Sequence, residues 1–172
     1  MRVHQISKEK LTISKVAGIL QKKIELSDEV KHLVVKCRNY LDEKIKTHSE
    51  PIYGINTGFG SLCNTSVSND DLGTLQKNLV MSHACGIGDE VPQNIVKLML
   101  LLKIQGLSYG HSGVQLVTIE RLVDFYNNDI LPVVYQQGSL GASGDLAPLA
   151  HLALALIGMG EVYYKGQKRQ GN

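Results

Sequence analysis

The sequence has no tryptophan and only two phenylalanines in 172 residues, and its formal net charge is only +2. Its basic residues are neither clustered nor interleaved with aromatic ones. Proteins that bind nucleic acids usually carry a basic patch, often with aromatic rings on which bases stack. We therefore expect no nucleic-acid partner.

Cysteine is also scarce, with Cys37, Cys63 and Cys85 as its three occurrences. An odd number of cysteines without paired spacing predicts neither a disulfide framework nor a zinc site. We therefore expect no bound metal. Nothing in the sequence resembles a signal peptide, so we expect a cytoplasmic protein with reduced cysteines.

Long hydrophobic runs are absent too. A transmembrane helix needs about 20 consecutive apolar residues. The two longest apolar runs, 95–102 and 146–157, are shorter than that and are interrupted by Lys97, Pro148 and His151. We expect no membrane contact.

What the sequence does contain is helical periodicity, with apolar residues that recur three and four positions apart. The predicted helices cover about residues 10–22, 28–47, 68–85, 93–107, 114–126 and 146–157. A short strand at about 2–6 and a small hairpin around 162–166 are also predicted. The expected fold class is mainly α, with short strands and glycine-rich loops, and the length suits one domain.

Capping residues mark two of the helix starts. Ser27 is expected to be an N-cap, with acidic Asp28 and Glu29 in the first turn that follows. Ser68 is followed three residues later by Asp71, a pattern that resembles a capping box. Both patterns predict that a helix begins within the next few residues.

Residues 51–60, with the sequence PIYGINTGFG, break the helical pattern. The glycines at 54, 58 and 60 predict a loop with backbone turns that other residues resist. The segment lacks the lysine and the spacing of a phosphate-binding loop. We expect a scaffolded loop that presents Tyr53 beside a pocket and is shaped by Asn56 and Gly60.

The segment 138–156, with the sequence GSLGASGDLAPLAHLALAL, contains the tripeptide Ala142-Ser143-Gly144. Gly144 lacks a Cβ, so its nitrogen can approach the carbonyl carbon of Ala142 closely. Ring closure there, with loss of water from Ser143 as well, would give a five-membered imidazolinone with an exocyclic methylene. That group is a carbon electrophile, which the standard side chains do not provide.

The surroundings of the tripeptide favour this interpretation, since Ala-Ser-Gly alone would occur by chance. Gly138 and Gly141 precede it, Asp145 is a candidate N-cap, and Pro148 falls in the first helical turn. A helix that opens after the turn directs its positive end at it. Because residues 146–157 are apolar all round, we expect that helix to be buried at the centre of the fold.

With this segment the sequence resembles the aromatic amino acid ammonia-lyases, and most closely their histidine-specific members. Three further blocks are similar to the family's other N-terminal blocks, in the same order: PIYGINTGFG at 51–60, LQKNLVMSHACGIGDEVP at 75–92 and GHSGVQL at 110–116. The resemblance covers nearly the whole chain. It implies that residues 1–172 form the N-terminal, prosthetic-group-bearing domain of a longer, homotetrameric enzyme of the ammonia-lyase/fumarase-like superfamily, without its C-terminal helical bundle.

The resemblance also implies roles for individual residues. Residues Ala142, Ser143 and Gly144 would form 4-methylidene-imidazol-5-one autocatalytically. Tyr53 would be the base or proton carrier near the substrate β-carbon. His83 would contact the imidazole ring of L-histidine, since histidine-specific members carry a Ser-His pair at this place in the block. The expected reaction is elimination of ammonia to give trans-urocanate.

Several alternatives stay open at this point. A serine hydrolase is disfavoured because a nucleophile elbow needs glycine where Asp145 stands. A tyrosine or phenylalanine ammonia-lyase remains, as does a truncated chain that folds without catalysing, and we expect little lyase activity from these 172 residues alone. The alternative for His83 is a histidine without a substrate role, whose charge suits the C-terminus of a helix. His151 is expected to be a core histidine with a hydrogen-bond partner.

The block around residues 103–115 departs from the family pattern. Many members have other residue types at four positions there, which are Lys103, Gln105, His111 and Gln115. The departures concern local polar contacts and subunit packing, and leave the proposed electrophile unchanged.

Overall fold

The computed structural model describes residues 3–48, 50–138, 144 and 146–172. Its helices are α1 Ile13–Ile19, α2 Asp28–Thr47, α3 Leu72–His83, α4 Gln93–Ser108, α5 Leu116–Asn127 and α6 Leu146–Leu154. Its strands are β1 Val3–Ile6, β2 Lys23–Leu26, β3 Ile87–Glu90, β4 Leu131–Pro132, β5 Tyr135–Gln137, β6 Glu161–Tyr164 and β7 Gln167–Gln170. The predicted mainly α fold with short strands is confirmed.

The helices α4 and α5 form the centre of the core. Val96, Leu100 and Ile104 of α4 are buried, as are Ile119 and Leu122 of α5, and the two helices pack against each other. These are the faces that the three-and-four spacing predicted. Burial of one such side chain contributes about 1.5–3 kcal/mol, so this pair of helices supplies much of the hydrophobic stabilisation.

The strands form three small sheets at the edges of the helical core. β1 and β2 pair in parallel, β3 and β5 pair antiparallel, and β4, β6 and β7 form an antiparallel three-stranded sheet. The predicted hairpin is confirmed. Lys165 and Gly166 connect β6 to β7 with positive φ angles of 52° and 73°, which is typical of a type I′ turn.

The start of the chain differs from the prediction. A single helix was expected over 10–22, whereas α1 is shorter and β2, which follows it, was not predicted. Thr12 caps α1 by accepting a hydrogen bond from the Lys15 N–H. The chain then turns so that Ile24 and Leu26 are buried beside β1. Two apolar residues between two helical segments are not enough to separate a strand from the helical pattern.

One of the two predicted caps is confirmed and the other is not formed. The Ser27 hydroxyl accepts a hydrogen bond from the Val30 N–H at the start of α2. At α3, by contrast, the Ser68 hydroxyl donates to the Asp71 carboxylate over 2.7 Å, and no side chain caps the helix. Residues Asn69–Asp71 form a 3₁₀ turn first, so the two side chains meet each other and α3 begins at Leu72.

The helix α6 is not buried all round, so that expectation is wrong for this chain. Ala150, His151 and Leu152 are buried on the side that faces α3, β4 and β5. Leu146 and Leu149 on the other side are 39% and 42% exposed. The described elements cover only one face of a helix whose sequence is apolar on every face. None of the described helices is long and apolar enough to cross a membrane.

Candidate active site

The structure describes the edges of the predicted reactive turn. Ala142 and Ser143 lie outside the described residues, as do Gly141 and the predicted N-cap Asp145. Gly144 is described and exposed, with φ +82°. Among the described residues, nothing approaches within 4 Å of the position that a Cβ would occupy there. Its backbone conformation is one that favours glycine.

The two other predicted site residues line one pocket beside this turn. Tyr53 and His83 face an open pocket of about 570 Å³ together with Leu146, which lies two residues after Gly144. Phe59, Gly60 and Ser61 complete its lining. Residues that are 30 positions apart in the sequence are therefore close to each other and to the start of α6. Sequence periodicity alone gives no reason to expect this arrangement.

Tyr53 lines the pocket and is held there by two contacts. The side chain is 61% exposed, and its hydroxyl oxygen accepts a hydrogen bond from the Gly60 N–H over 3.4 Å. Its ring lies 5.6 Å from that of Phe59, tilted by 46°. The phenol is thereby oriented on both its apolar and its polar side.

The hydrogen bond that His83 makes indicates which ring nitrogen carries the proton in the neutral imidazole. Its Nδ1 lies 2.7 Å from the carbonyl oxygen of Leu79, one turn earlier in α3. A carbonyl can only accept, so Nδ1 carries the proton and Nε2 is the acceptor in the neutral ring. The Ser82 hydroxyl lies 3.2 Å from the same Nδ1, and Phe59 packs edge-on against the ring with centroids 5.2 Å apart.

The Tyr53 loop, residues 51–60, is fastened to α3 by Gln76. The Gln76 side-chain amide donates to the carbonyl oxygens of Gly54 and Ile55, both over 2.9 Å. Gly54 has φ +70°, and a Cβ there would lie 2.8 Å from the Phe59 ring. Sequence reasoning missed both Gln76 and Phe59, since nothing in a single sequence marks a polar helix residue as the partner of a distant loop.

Two polar residues shape the same loop from within. Asn56 is buried, and its Oδ1 accepts from the Ile52 N–H over 2.6 Å. Thr57 is fully buried, and its hydroxyl accepts from the Gly54 N–H over 3.1 Å. Asn56 therefore lies where the sequence placed a loop-shaping residue. Gly60 does so as well, with φ +58°.

His151 lies on α6, five residues after Leu146, and does not line the pocket of Tyr53 and His83. It is 8% exposed, and its Nε2 accepts a hydrogen bond from the Gly86 N–H over 2.8 Å. Its ring packs edge-on against Tyr135 at 5.3 Å. Burial lowers the pKa of His151 below its usual value, so the ring is neutral at pH 7. The expected core histidine with a hydrogen-bond partner is found here.

Two of the residues that depart from the family pattern have distinct surroundings. Lys103 lines a second pocket, of about 270 Å³, which also contains His83 and Leu149. Gln105 is buried and donates to the backbone carbonyl of Ser7 over 2.8 Å, which is a scaffold contact. In the described part of the chain, no group of three or more His, Cys, Asp or Glu side chains could hold a metal ion.

Comparison with known proteins gives a consistent result. A family model described as aromatic amino acid lyase matches residues 11–172. A histidine ammonia-lyase from Caldanaerobacter subterraneus subsp. tengcongensis is 44% identical over 163 residues, which are 94% of this chain and 32% of that protein. The chain therefore spans about a third of the length of the curated relatives it matches.

Solved structures share the fold over almost the entire chain. A histidine ammonia-lyase from Trypanosoma cruzi has a TM-score of 0.86 at 29% identity, covering 99% of this chain and 33% of that one. The ergothioneine-degrading enzyme ergothionase from Treponema denticola has a TM-score of 0.93 at 27% identity, covering 99% and 34%.

Proposed function

Because the chain belongs to the aromatic amino acid lyase family, we propose that its residues 1–172 form the N-terminal, electrophile-bearing domain of a histidine ammonia-lyase. The proposed enzyme is a carbon–nitrogen lyase that eliminates ammonia from L-histidine to give trans-urocanate. The observation that carries this proposal is the shared pocket of Tyr53 and His83 beside Leu146. It supports the proposal because the proposed base and the proposed substrate contact line one pocket with Leu146, two residues after Gly144.

The residues around the turn fit the formation of 4-methylidene-imidazol-5-one from Ala142, Ser143 and Gly144. The φ of +82° at Gly144 and the open space beside it suit a position whose nitrogen has to reach a preceding carbonyl. The start of α6 directs its positive end toward the turn, which stabilises negative charge there. When formed, the group supplies an electrophilic carbon that withdraws electrons from the substrate.

We assign the removal of the substrate β-proton to Tyr53. Tyr53 lines the pocket, and its hydroxyl oxygen receives the Gly60 N–H, which stabilises the negative charge on an oxygen that acts as a base. Phe59 restricts the ring on its other side. A proton-transfer group held in this way contributes about 10²- to 10⁴-fold to the rate.

We assign recognition of the substrate ring to His83. Its Nε2 is an acceptor as long as Nδ1 donates to Leu79. An imidazole ring can donate an N–H to that acceptor, whereas the ring of phenylalanine cannot. This difference supports L-histidine over the phenylalanine alternative, because a site built to hydrogen-bond a substrate N–H discriminates against a ring that lacks it.

The proposed assembly is a homotetramer, as the family resemblance implies. The exposed side chains of Leu146 and Leu149 support it, since they form an apolar surface beside the pocket. Coverage of this surface by another part of the assembly would bury it and exclude water from the pocket.

The test uses the full-length protein with L-histidine, L-tyrosine and L-phenylalanine as substrates. We expect turnover of L-histidine and a mass about 36 Da below that of the encoded chain, from the loss of two waters on ring formation. Ser143→Ala should abolish both. Tyr53→Phe should lower kcat by about 10²-fold or more while the mass deficit is retained.

The matched control is Tyr40→Phe, which removes the hydroxyl of an exposed tyrosine on α2 and should leave kcat unchanged. His83→Leu should raise KM for L-histidine. Preference of the unaltered protein for L-tyrosine or L-phenylalanine would contradict the assignment of His83. Full turnover with Ser143→Ala would contradict the electrophile.

A further inference from the structure

Three segments of the chain meet around the buried imidazole of His151. The helix α6, which follows the turn, carries His151. The strand β5 precedes the turn and leads into Gly138, the last described residue before it. The loop after α3 carries Gly86, three residues beyond His83. These segments come from separate parts of the sequence and are in direct contact.

The contact depends on the absence of side chains at both glycines. A Cβ at Gly86 would lie 2.8 Å from His151 Nε2, and a Cβ at Gly138 would lie 2.6 Å from the Gly86 Cα. Both distances are shorter than a carbon atom tolerates. Three layers therefore pack in succession: the imidazole, the Gly86 backbone and the Gly138 backbone. Movement of one layer displaces the layer beside it.

The hydrogen bond between His151 and Gly86 holds these layers together. It is 2.8 Å long, and its acceptor belongs to a buried imidazole whose orientation is restricted by Tyr135 of β5. Because β5 also leads to Gly138, the imidazole touches both the strand before the turn and the loop after α3. His151 thus connects α6, which follows residues 139–145, to Gly138, which precedes them, through direct packing contacts.

We propose that His151 is a positioning residue for ring formation at residues 142–144. By fixing Gly86, and through it Gly138, it keeps the entry of the turn in a constant relation to the start of α6. This proposal rests on the proposed function, because it presumes that the ring forms.

The chemistry that this arrangement assists is balanced without any added reagent. The Gly144 nitrogen forms a bond to the carbonyl carbon of residue 142, and its hydrogen moves to the oxygen. That oxygen leaves as water with the N–H hydrogen of residue 143, and a C=N bond forms. A second water takes the hydroxyl of Ser143 and its α-hydrogen, which leaves the exocyclic C=C bond. Bringing the nitrogen and the carbonyl carbon together is the step that depends on geometry.

The experiment measures ring content in the full-length protein by intact-mass spectrometry and by the absorbance of the methylidene group, at fixed times after synthesis. His151→Phe keeps an aromatic ring but has no acceptor, and we expect its ring formation to be slowed by about tenfold or more. His151→Gln places an acceptor oxygen near the position of Nε2 and should restore most of the rate. His32→Phe, at an exposed histidine of α2, is the matched control.

Melting temperatures, recorded on the same samples, separate positioning from folding. A variant His151→Phe that melts like the unaltered protein and forms the ring at its rate would overturn the proposal. If His151→Phe does not fold, the rate of ring formation is measured in Gly86→Ala instead. Its added methyl group displaces the imidazole, so it should slow ring formation, and an undiminished rate would overturn the proposal as well.

Failure of the proposed function gives a different result. If the unaltered protein shows no mass deficit, the ring does not form and the function proposed above is wrong. If the unaltered protein shows the full deficit and every His151 and Gly86 variant does too, only the positioning role is wrong.

Discussion

Replacing Gln76 with methionine removes both hydrogen bonds between α3 and the Tyr53 loop while the length of the side chain is kept. The amide donates to the carbonyl oxygens of Gly54 and Ile55, and each such bond contributes about 1 kcal/mol net. Their joint loss weakens the ordered loop by about 1–2 kcal/mol, which changes the ratio of ordered to displaced loop by a factor of about 5–30. Since only the ordered loop presents Tyr53 to the substrate, kcat should fall, by up to the same factor if the displaced loop becomes the major form.

The assay compares kcat, KM and the melting temperature of the full-length protein with L-histidine. The loop lies at the surface, so the melting temperature should change by only a few degrees. Gln76→Glu should be more damaging than Gln76→Met, because a carboxylate faces the two carbonyl oxygens without a donor. Gln93→Met, at an exposed glutamine of α4, is the control. If Gln76→Met retains the kcat of the unaltered protein while Tyr53→Phe does not, the loop is not positioned by Gln76.

Two further predictions concern stability. Asn127 accepts from the Ile24 N–H and donates to the Ile24 carbonyl, so Asn127→Asp should lower the free energy of unfolding in urea by about 1–3 kcal/mol through the lost donor. Lys168 beside Glu90 holds the pKa of that carboxyl below its usual value. This ion pair therefore stabilises the fold above about pH 4.5, and that stabilisation is lost as the pH falls through the lowered pKa. In Lys168→Met, the loss of stability between pH 5 and 3 should become shallower, and an unchanged pH profile would contradict the assignment.

The bounds of α2 and α4 were predicted to within one residue from the sequence, and those of α5 to within two, for a physical reason. Each has a buried face whose apolar residues recur with the helical period, and α2 also has an N-cap serine followed by acidic residues. The strands β2 and β3 were not predicted, because IGDE of β3 has no alternation of apolar and polar residues and KIEL of β2 is a brief alternation between two helices. The pairing of β3 with β5 joins residues about 50 positions apart, so local sequence contains no signal for it.

Two residues of the candidate site were predicted from the sequence, and helical periodicity was not the basis. Tyr53 and His83 were selected through a resemblance, and the residues themselves gave only a glycine-rich loop and a histidine at a helix end. Their shared pocket depends on Phe59, which packs against both rings. It depends also on Gln76, which links the loop to the helix that carries His83. Such tertiary partners have no period and no motif, and they become visible only when the elements are packed.

The sequence predicts that α6 is buried on all sides, whereas one side of it is partly exposed in the structure. The composition of a helix reflects every contact it makes in the state in which the protein works, whereas the structure shows only the contacts among the described residues of this chain. Residues 146–157 are apolar on all faces, yet Leu146 and Leu149 are more than a third exposed. Buried apolar surface contributes about 25 cal/mol per Å², and the exposed part of each leucine contributes none of it. The exposed side of α6 is therefore the surface that the proposed assembly would cover, beside Tyr53 and His83.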